Sequence, residues 1–199
     1  MLRLTSEEKC FLLRLARRSL EAAVLRAEMQ VPAEFPVAVG RLGSAFVTLH
    51  KNASLRGCVG YLQPLMPLYR TVMEAAASAA LKDTRFPPVG PTELVELEVE
   101  ISVLSPCWEL RPEEIHVGVH GLMVSMGAAR GLLLPQVAVE RHWNSFQFLE
   151  ETCRKAGLSL GAWRRGAKIE AFTAEVFSEQ TTTTQSQPGH LDEYPASYK

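Results

Sequence analysis

The run Leu97–Leu104 constrains this chain more than any other. Leu97, Val99, Ile101 and Val103 alternate with Glu98, Glu100 and Ser102. A period of two sends the apolar side chains to one side of a strand and the acids to the other. Such a strand belongs in a sheet with one buried face and one wet face, which antiparallel sheets permit and doubly covered parallel sheets do not.

The remaining strand signals come in pairs. Residues 45–50 read as a strand returning through 55–59 after a polar turn at 51–54, with Gly60 closing it. Residues 122–126 and 132–134 read as a second hairpin, with Gly127 and Gly131 framing its turn. A last strand is expected over 167–177. Helices fall between them. Thr5 and Glu8 form a T-x-x-E capping box for a helix running to about Arg26, with Leu12, Leu15, Ala16 and Ala23 on its buried stripe. Pro67 opens a second helix with an alanine face, running to Lys82, and Pro87 and Pro88 end that run. Asn144 caps a third, which Gly157 ends. Strict β-α-β alternation is missing, so the expected class is α+β, a largely antiparallel or mixed sheet with flanking helices. Residues 1–177 carry the pattern. From residue 178 onward it fades into Thr, Gln, Ser, Pro and Gly, so 178–199 is expected to be a flexible tail.

A chain of 199 residues makes one domain or two tightly joined halves. Its net charge of −1 exerts no global pull on nucleic acid or anionic membrane. No run reaches the roughly 18–20 apolar residues of a membrane span. Arg14, Arg17 and Arg18 interrupt what would be the apolar core of a leader, so the expected location is the cytoplasm. Cys10, Cys58, Cys107 and Cys153 lie far apart with no CxxC pair, and are expected to be free thiols without a structural zinc site. Phosphate-loop, dinucleotide, GxSxG and HExxH motifs are absent, and no cofactor is expected.

The segment from Leu55 to Gly60 (LRGCVG) is the most informative for chemistry. On a regular strand Arg56 and Cys58 share a face, with Cα atoms about 6.5–7 Å apart. A guanidinium at that distance favours the thiolate form. Gly57 and Gly60 leave backbone N–H groups open to a ligand. Against this stands ordinary packing, the commonest fate of a cysteine. His116 and His120, on an extended segment, would stand about 13 Å apart, too far to share a metal. His120 alone is a candidate proton shuttle for Cys58. Asp83 and Arg85 either pair to pin the loop after the second helix or expose Arg85 to an anion. Basic clusters at Arg14, Arg17 and Arg18 and at Arg164, Arg165 and Lys168 read as solvated faces, without the interleaved aromatics of RNA-binding sheets.

Six ordered blocks carry a resemblance: residues 46–60 (FVTLHKNASLRGCVG), 81–88 (LKDTRFPP), 97–106 (LEVEISVLSP), 117–122 (VGVHGL), 131–138 (GLLLPQVA) and 152–158 (TCRKAGL) with Trp163. Together they resemble the AMMECR domain family, whose prokaryotic members are called AmmeMemoRadiSam system protein A. The resemblance implies an α+β domain of two subdomains around a cleft. It further implies two partners, a Memo-like protein and a radical SAM enzyme. It weights Cys58 toward function. The candidate site is then Cys58 with His120 for catalysis, and Arg56, Gly57, Gly60, Asp83 and Arg85 for ligand binding, with no metal. The leading functional expectation is an accessory or interaction protein acting with those partners. The alternative is a cysteine-dependent enzyme or covalent carrier, and RNA binding comes third.

Overall fold

The first helix, α1 (Ser6–Leu25), begins where the sequence puts its cap. The Glu8 N–H donates to Thr5 Oγ1 at 3.2 Å, and the Thr5 N–H donates to Glu8 Oε2 at 2.7 Å, satisfying two end amides reciprocally. It stops at Arg26, whose φ of 55° is left-handed. The structure, a computed structural model, describes residues 3–180. After α1 come the hairpin β1 (Ser44–Lys51) and β2 (Ser54–Tyr61), α2 (Leu68–Leu81), β3 (Leu97–Leu104) and a short β4 (Trp108–Glu109). The hairpin β5 (Gly121–Met126) and β6 (Ala129–Leu133) follows, then α3 (Pro135–Glu140), α4 (Ser145–Lys155), β7 (Lys168–Phe172) and β8 (Ala174–Ser178).

The strands form two four-stranded sheets, in the orders β2-β1-β3-β8 and β4-β7-β5-β6. Every pairing is antiparallel. The α+β expectation is borne out, and β3 has the boundaries its alternation implies. Its odd-numbered residues join Val47, Leu49, Val72 and Leu12 in a core between the first sheet and α1 and α2. A second core gathers Leu122, Val124, Phe148, Leu149 and Ile169 between the other sheet and α4. Each such fully buried side chain contributes roughly 1.5–3 kcal/mol.

Four local expectations change. The single strand over 167–177 is two strands broken at Thr173, and β7 and β8 belong to different sheets. The chain crosses between sheets a second time after β3, and the two crossings are tied. The Ser105 N–H donates to the Thr173 carbonyl, and the Thr173 N–H donates to Ser105 Oγ, both at 2.9 Å. Gly131 does not frame a turn. It lies inside β6 opposite Val124, and a Cβ there would stand 2.3 Å from the Ala156 nitrogen. Pro135–Glu140 is helical, although no helix was expected there. Ser178 ends β8, and Glu179 receives the Arg17 guanidinium on both oxygens, so strand and packing contacts run past the expected start of the tail at 178. Residues 181–199 lie outside the described residues. No described helix is long and apolar enough to cross a membrane.

Candidate functional site

The LRGCVG segment forms β2, the edge strand of the first sheet. Its pairing with β1 is regular from Tyr61 to Gly57, where Gly57 faces Leu49. The register then slips, and His50 faces Leu55. Arg56 is the extra residue of this bulge. A bulge breaks the alternation of faces, and here it overturns the expected Arg56–Cys58 pair. The Arg56 guanidinium turns instead to Glu93, donating to Oε1 at 3.1 Å and Oε2 at 3.0 Å, and to the Pro87 carbonyl at 2.9 Å. The two bonds from Arg56 to the carboxylate, with a further one from the Gly90 N–H, hold the Glu93 carboxyl down at about 2. Arg56 therefore ties the edge strand to the loop between α2 and β3.

The guanidinium beside Cys58 belongs to Arg85. Asp83 and Arg85 do pair, with Arg85 Nε and Nη2 donating to the two Asp83 oxygens at 2.9 and 2.7 Å. The pair also grips the edge strand. The Cys58 N–H donates to Asp83 Oδ2 at 2.8 Å, and Arg85 Nη2 donates to the Cys58 carbonyl at 3.3 Å. Carboxylate and guanidinium thus occupy the positions that the next strand's C=O and N–H would take, which blunts an otherwise exposed edge. The Arg85 bond, reinforced by the Cys58 and Arg85 backbone amides, holds the Asp83 carboxyl far below the usual carboxylate range. Asp83 in turn raises Arg85, and the Cys58 side chain is near enough to contribute to that rise.

Gly57 and Gly60 serve packing. A Cβ on Gly57 would meet the Ala79 carbonyl oxygen of α2 at 2.3 Å, and one on Gly60 would strike the Phe46 ring at the same distance. The first lets α2 lie against the strand. The second lets the Phe46 ring lie over bare backbone beside Cys58.

Register places Cys58, Thr48 and Glu100 in one row across β2, β1 and β3, on the face away from α1 and α2. Thr48 Oγ1 donates to Cys58 Sγ at 3.4 Å, and Cys58 is half-buried. Burial pushes the Glu100 carboxyl up, the like charges of Glu98 and Glu140 add to the rise, and His50 opposes it. His50 Nε2 and Ser102 Oγ on the same face are buried without a hydrogen-bond partner among the described residues. Sequence reasoning missed Thr48, His50, Glu100 and Ser102. They read as the polar side of strands, and only the pairing of β1 with both neighbours sets Thr48 beside Cys58 and the others on the same face.

His120 is placed elsewhere. Gly118, at φ 83°, lets residues 116–120 close into a turn, so the expected extended spacing of His116 and His120 is also overturned. Their ring centroids are 5.4 Å apart, the His116 N–H donates to His120 Nδ1 at 3.2 Å, and Trp108 packs edge-on at 5.6 Å. Burial and the neighbouring His116 lower the His120 pKa. No hydrogen bond or ring contact joins His120 to Cys58 among the described residues. No cluster of three or more His, Cys, Asp or Glu able to hold a metal occurs among them either. The basic clusters are partly spent on structure: Arg17 on Glu179, Arg164 over the Trp163 ring, and Lys168 between Glu109 and Glu170.

The AMMECR1 family profile matches residues 13–177. A protein of Thermofilum pendens is 42% identical over 90% of this chain and 93% of its own length. One from Pyrococcus furiosus is also 42% identical, over 90% of this chain and 92% of its own. The crystal structure of a Pyrococcus horikoshii protein superposes with a TM-score of 0.84 at 40% identity, covering 89% of this chain and 94% of that one. The edge-strand motif, the two sheets and these likenesses along nearly the whole sequence agree: the chain belongs to the AMMECR1 family.

Proposed function

We propose that the protein works through a thiol-dependent centre at Cys58, as a covalent carrier or cysteine nucleophile. The observation that carries this reading is the setting of the sulfur. Cys58 is half-buried rather than sealed, its sulfur accepts a hydrogen bond from Thr48, and the Arg85 guanidinium, held by Asp83, donates to the Cys58 carbonyl. A hydrogen-bond donor on the sulfur and a cation held at the same residue orient a cysteine for nucleophilic attack. In acyl capture the sulfur attacks the carbonyl carbon of R–CO–X and the C–X bond breaks. The thiol proton leaves with X as HX, so a thioester forms without an oxidant. His120 takes no part, because its Nδ1 accepts from the His116 N–H and its ring packs on Trp108. Iodoacetamide labelling at pH 7, mapped by mass spectrometry, tests the reading. Cys58 should be alkylated well ahead of Cys10, and Arg85→Gln should slow it about tenfold. A Cys58 that reacts no faster than Cys10, or that ignores Arg85→Gln in a folded variant, defeats it.

A second reading is an accessory protein acting with a Memo-like protein and a radical SAM enzyme. It is favoured by Leu55 and Val95, 42% and 92% exposed, which neighbour the two members of the Arg56–Glu93 pair. Co-purification with both purified partners tests it, with Val95→Asp expected to abolish the association. Failure of the unmodified protein to bind either partner removes this reading and leaves the thiol centre standing.

A further inference from the structure

The two sheets meet at a cleft of about 410 Å³, whose lining does not include Cys58, Thr48 or Glu100. That volume falls within the range of small-molecule sites. Its apolar wall includes Leu42, Leu104, Pro106 and Met123. A second cavity, of about 650 Å³, shares Leu42, Leu104 and Pro106 with it.

The polar side of the cleft is ordered by strand register. Arg130 of β6 stands opposite Ser125 of β5, and Ser125 stands opposite Lys168 of β7. Adjacent strands are about 4.8 Å apart, so two long cations flank a hydroxyl on one face of one sheet. This face is turned away from α4, since Val124 and Ile169 occupy the other one. Lys168 shares its charge with Glu109 and Glu170. Arg130 is exposed, lines the cleft and has no carboxylate partner among the described residues. The fields of both cations reach the cleft wall, where they act against the burial that raises the Cys107 thiol. The lining cations outnumber the lining carboxylate, Glu170, two to one.

We infer that this cleft binds an organic oxyanion, a carboxylate or phosphate monoester on an apolar body. The Arg130–Ser125–Lys168 row takes the head group, and Leu42, Leu104 and Met123 take the body. The fixed fork of Arg130 suits a planar or tetrahedral oxyanion, and its charge is not already claimed by a carboxylate. The body replaces water over the apolar wall.

Isothermal titration of the full chain with decanoate, decyl phosphate and decanol tests this. One saturable site is expected for at least one anion, and the tighter of the two identifies the head group. Arg130→Ala should weaken that binding about tenfold or more, with Arg130→Lys recovering part of the loss. Arg130 lies on an exposed hairpin, so the fold should survive both changes. Cys58→Ser should leave the affinity unchanged, which separates this site from the thiol centre. The inference is overturned if neither anion saturates, if decanol binds as tightly as the anions, if Arg130→Ala binds like the parent, or if Cys58→Ser abolishes binding.

Discussion

Gly57 has no room for a side chain, because the Ala79 carbonyl of α2 already occupies the space. Backbone cannot yield as a flexible side-chain tip can, so Gly57→Ala should destabilise the fold by about 1–3 kcal/mol, read from the urea midpoint. The carboxylates around β2 make a second residue-level prediction. Asp83 and Glu93 titrate lower in the folded protein than the roughly 3.9 and 4.3 of unfolded chains. Groups depressed in this way contribute stability that is complete above their unfolded values and is lost as pH falls through the folded ones. Urea midpoints should therefore drop from about pH 4 toward pH 2. Glu93→Gln should flatten part of that slope, and an unchanged slope would show that the Arg56 bond is not felt. The residue scale is also where alternation failed as a guide. Arg56 and Cys58 share a face on a regular strand, but the bulge at Arg56 hands the thiol's neighbourhood to Arg85, 27 positions downstream of Cys58.

The β1–β2 hairpin turns on Asn52 and Ala53, both left-handed at φ 51° and 59°. This is the primed geometry that matches strand twist, and it favours glycine at the second position. Alanine pays a steric cost there, so Ala53→Gly should raise the thermal midpoint, gaining up to about 1 kcal/mol. A lowered midpoint would mean that the greater freedom of glycine in the unfolded chain outweighs the relief. Caps and turns of this kind are local, and the ends of α1 and α4 were legible for that reason: Thr5 with Glu8, and Asn144 with Gln147, need no distant partner. The break at Thr173 was not legible. Residues on either side of it are equally strand-like, and the division exists because two sheets claim the two halves.

At the scale of the whole molecule, Arg17 acts as a staple. It reaches from α1 to the Leu94 and Leu97 carbonyls and to both oxygens of Glu179, while Glu179 Oε2 also accepts the Val99 N–H at 2.9 Å. One side chain therefore binds the first helix, the start of β3 and the end of β8 together. Arg17→Ala should speed hydrogen exchange at the Val99 amide and along β8 by about tenfold or more, while amides in α4 keep their protection. Equal acceleration in both cores would show that the two sheets open as one unit. The charge pattern of α1 hid this role, because Arg17 sits among Arg14 and Arg18, which are exposed as a solvated face should be.

By itself the sequence determined what depends on neighbours a few positions apart: the helix caps, the two hairpins, the alternation of β3 and the motif that marks the family. Such features are decided by backbone sterics and by short-range hydrogen bonds, which a linear pattern records directly. The tertiary structure alone decided which strands share a sheet and which cation stands next to Cys58. It also decided that Thr48 and Glu100 share a row with Cys58, and that Arg130, Ser125 and Lys168 line one cleft. Those outcomes depend on strand register and on a bulge, where a slip of one residue exchanges every partner across the sheet.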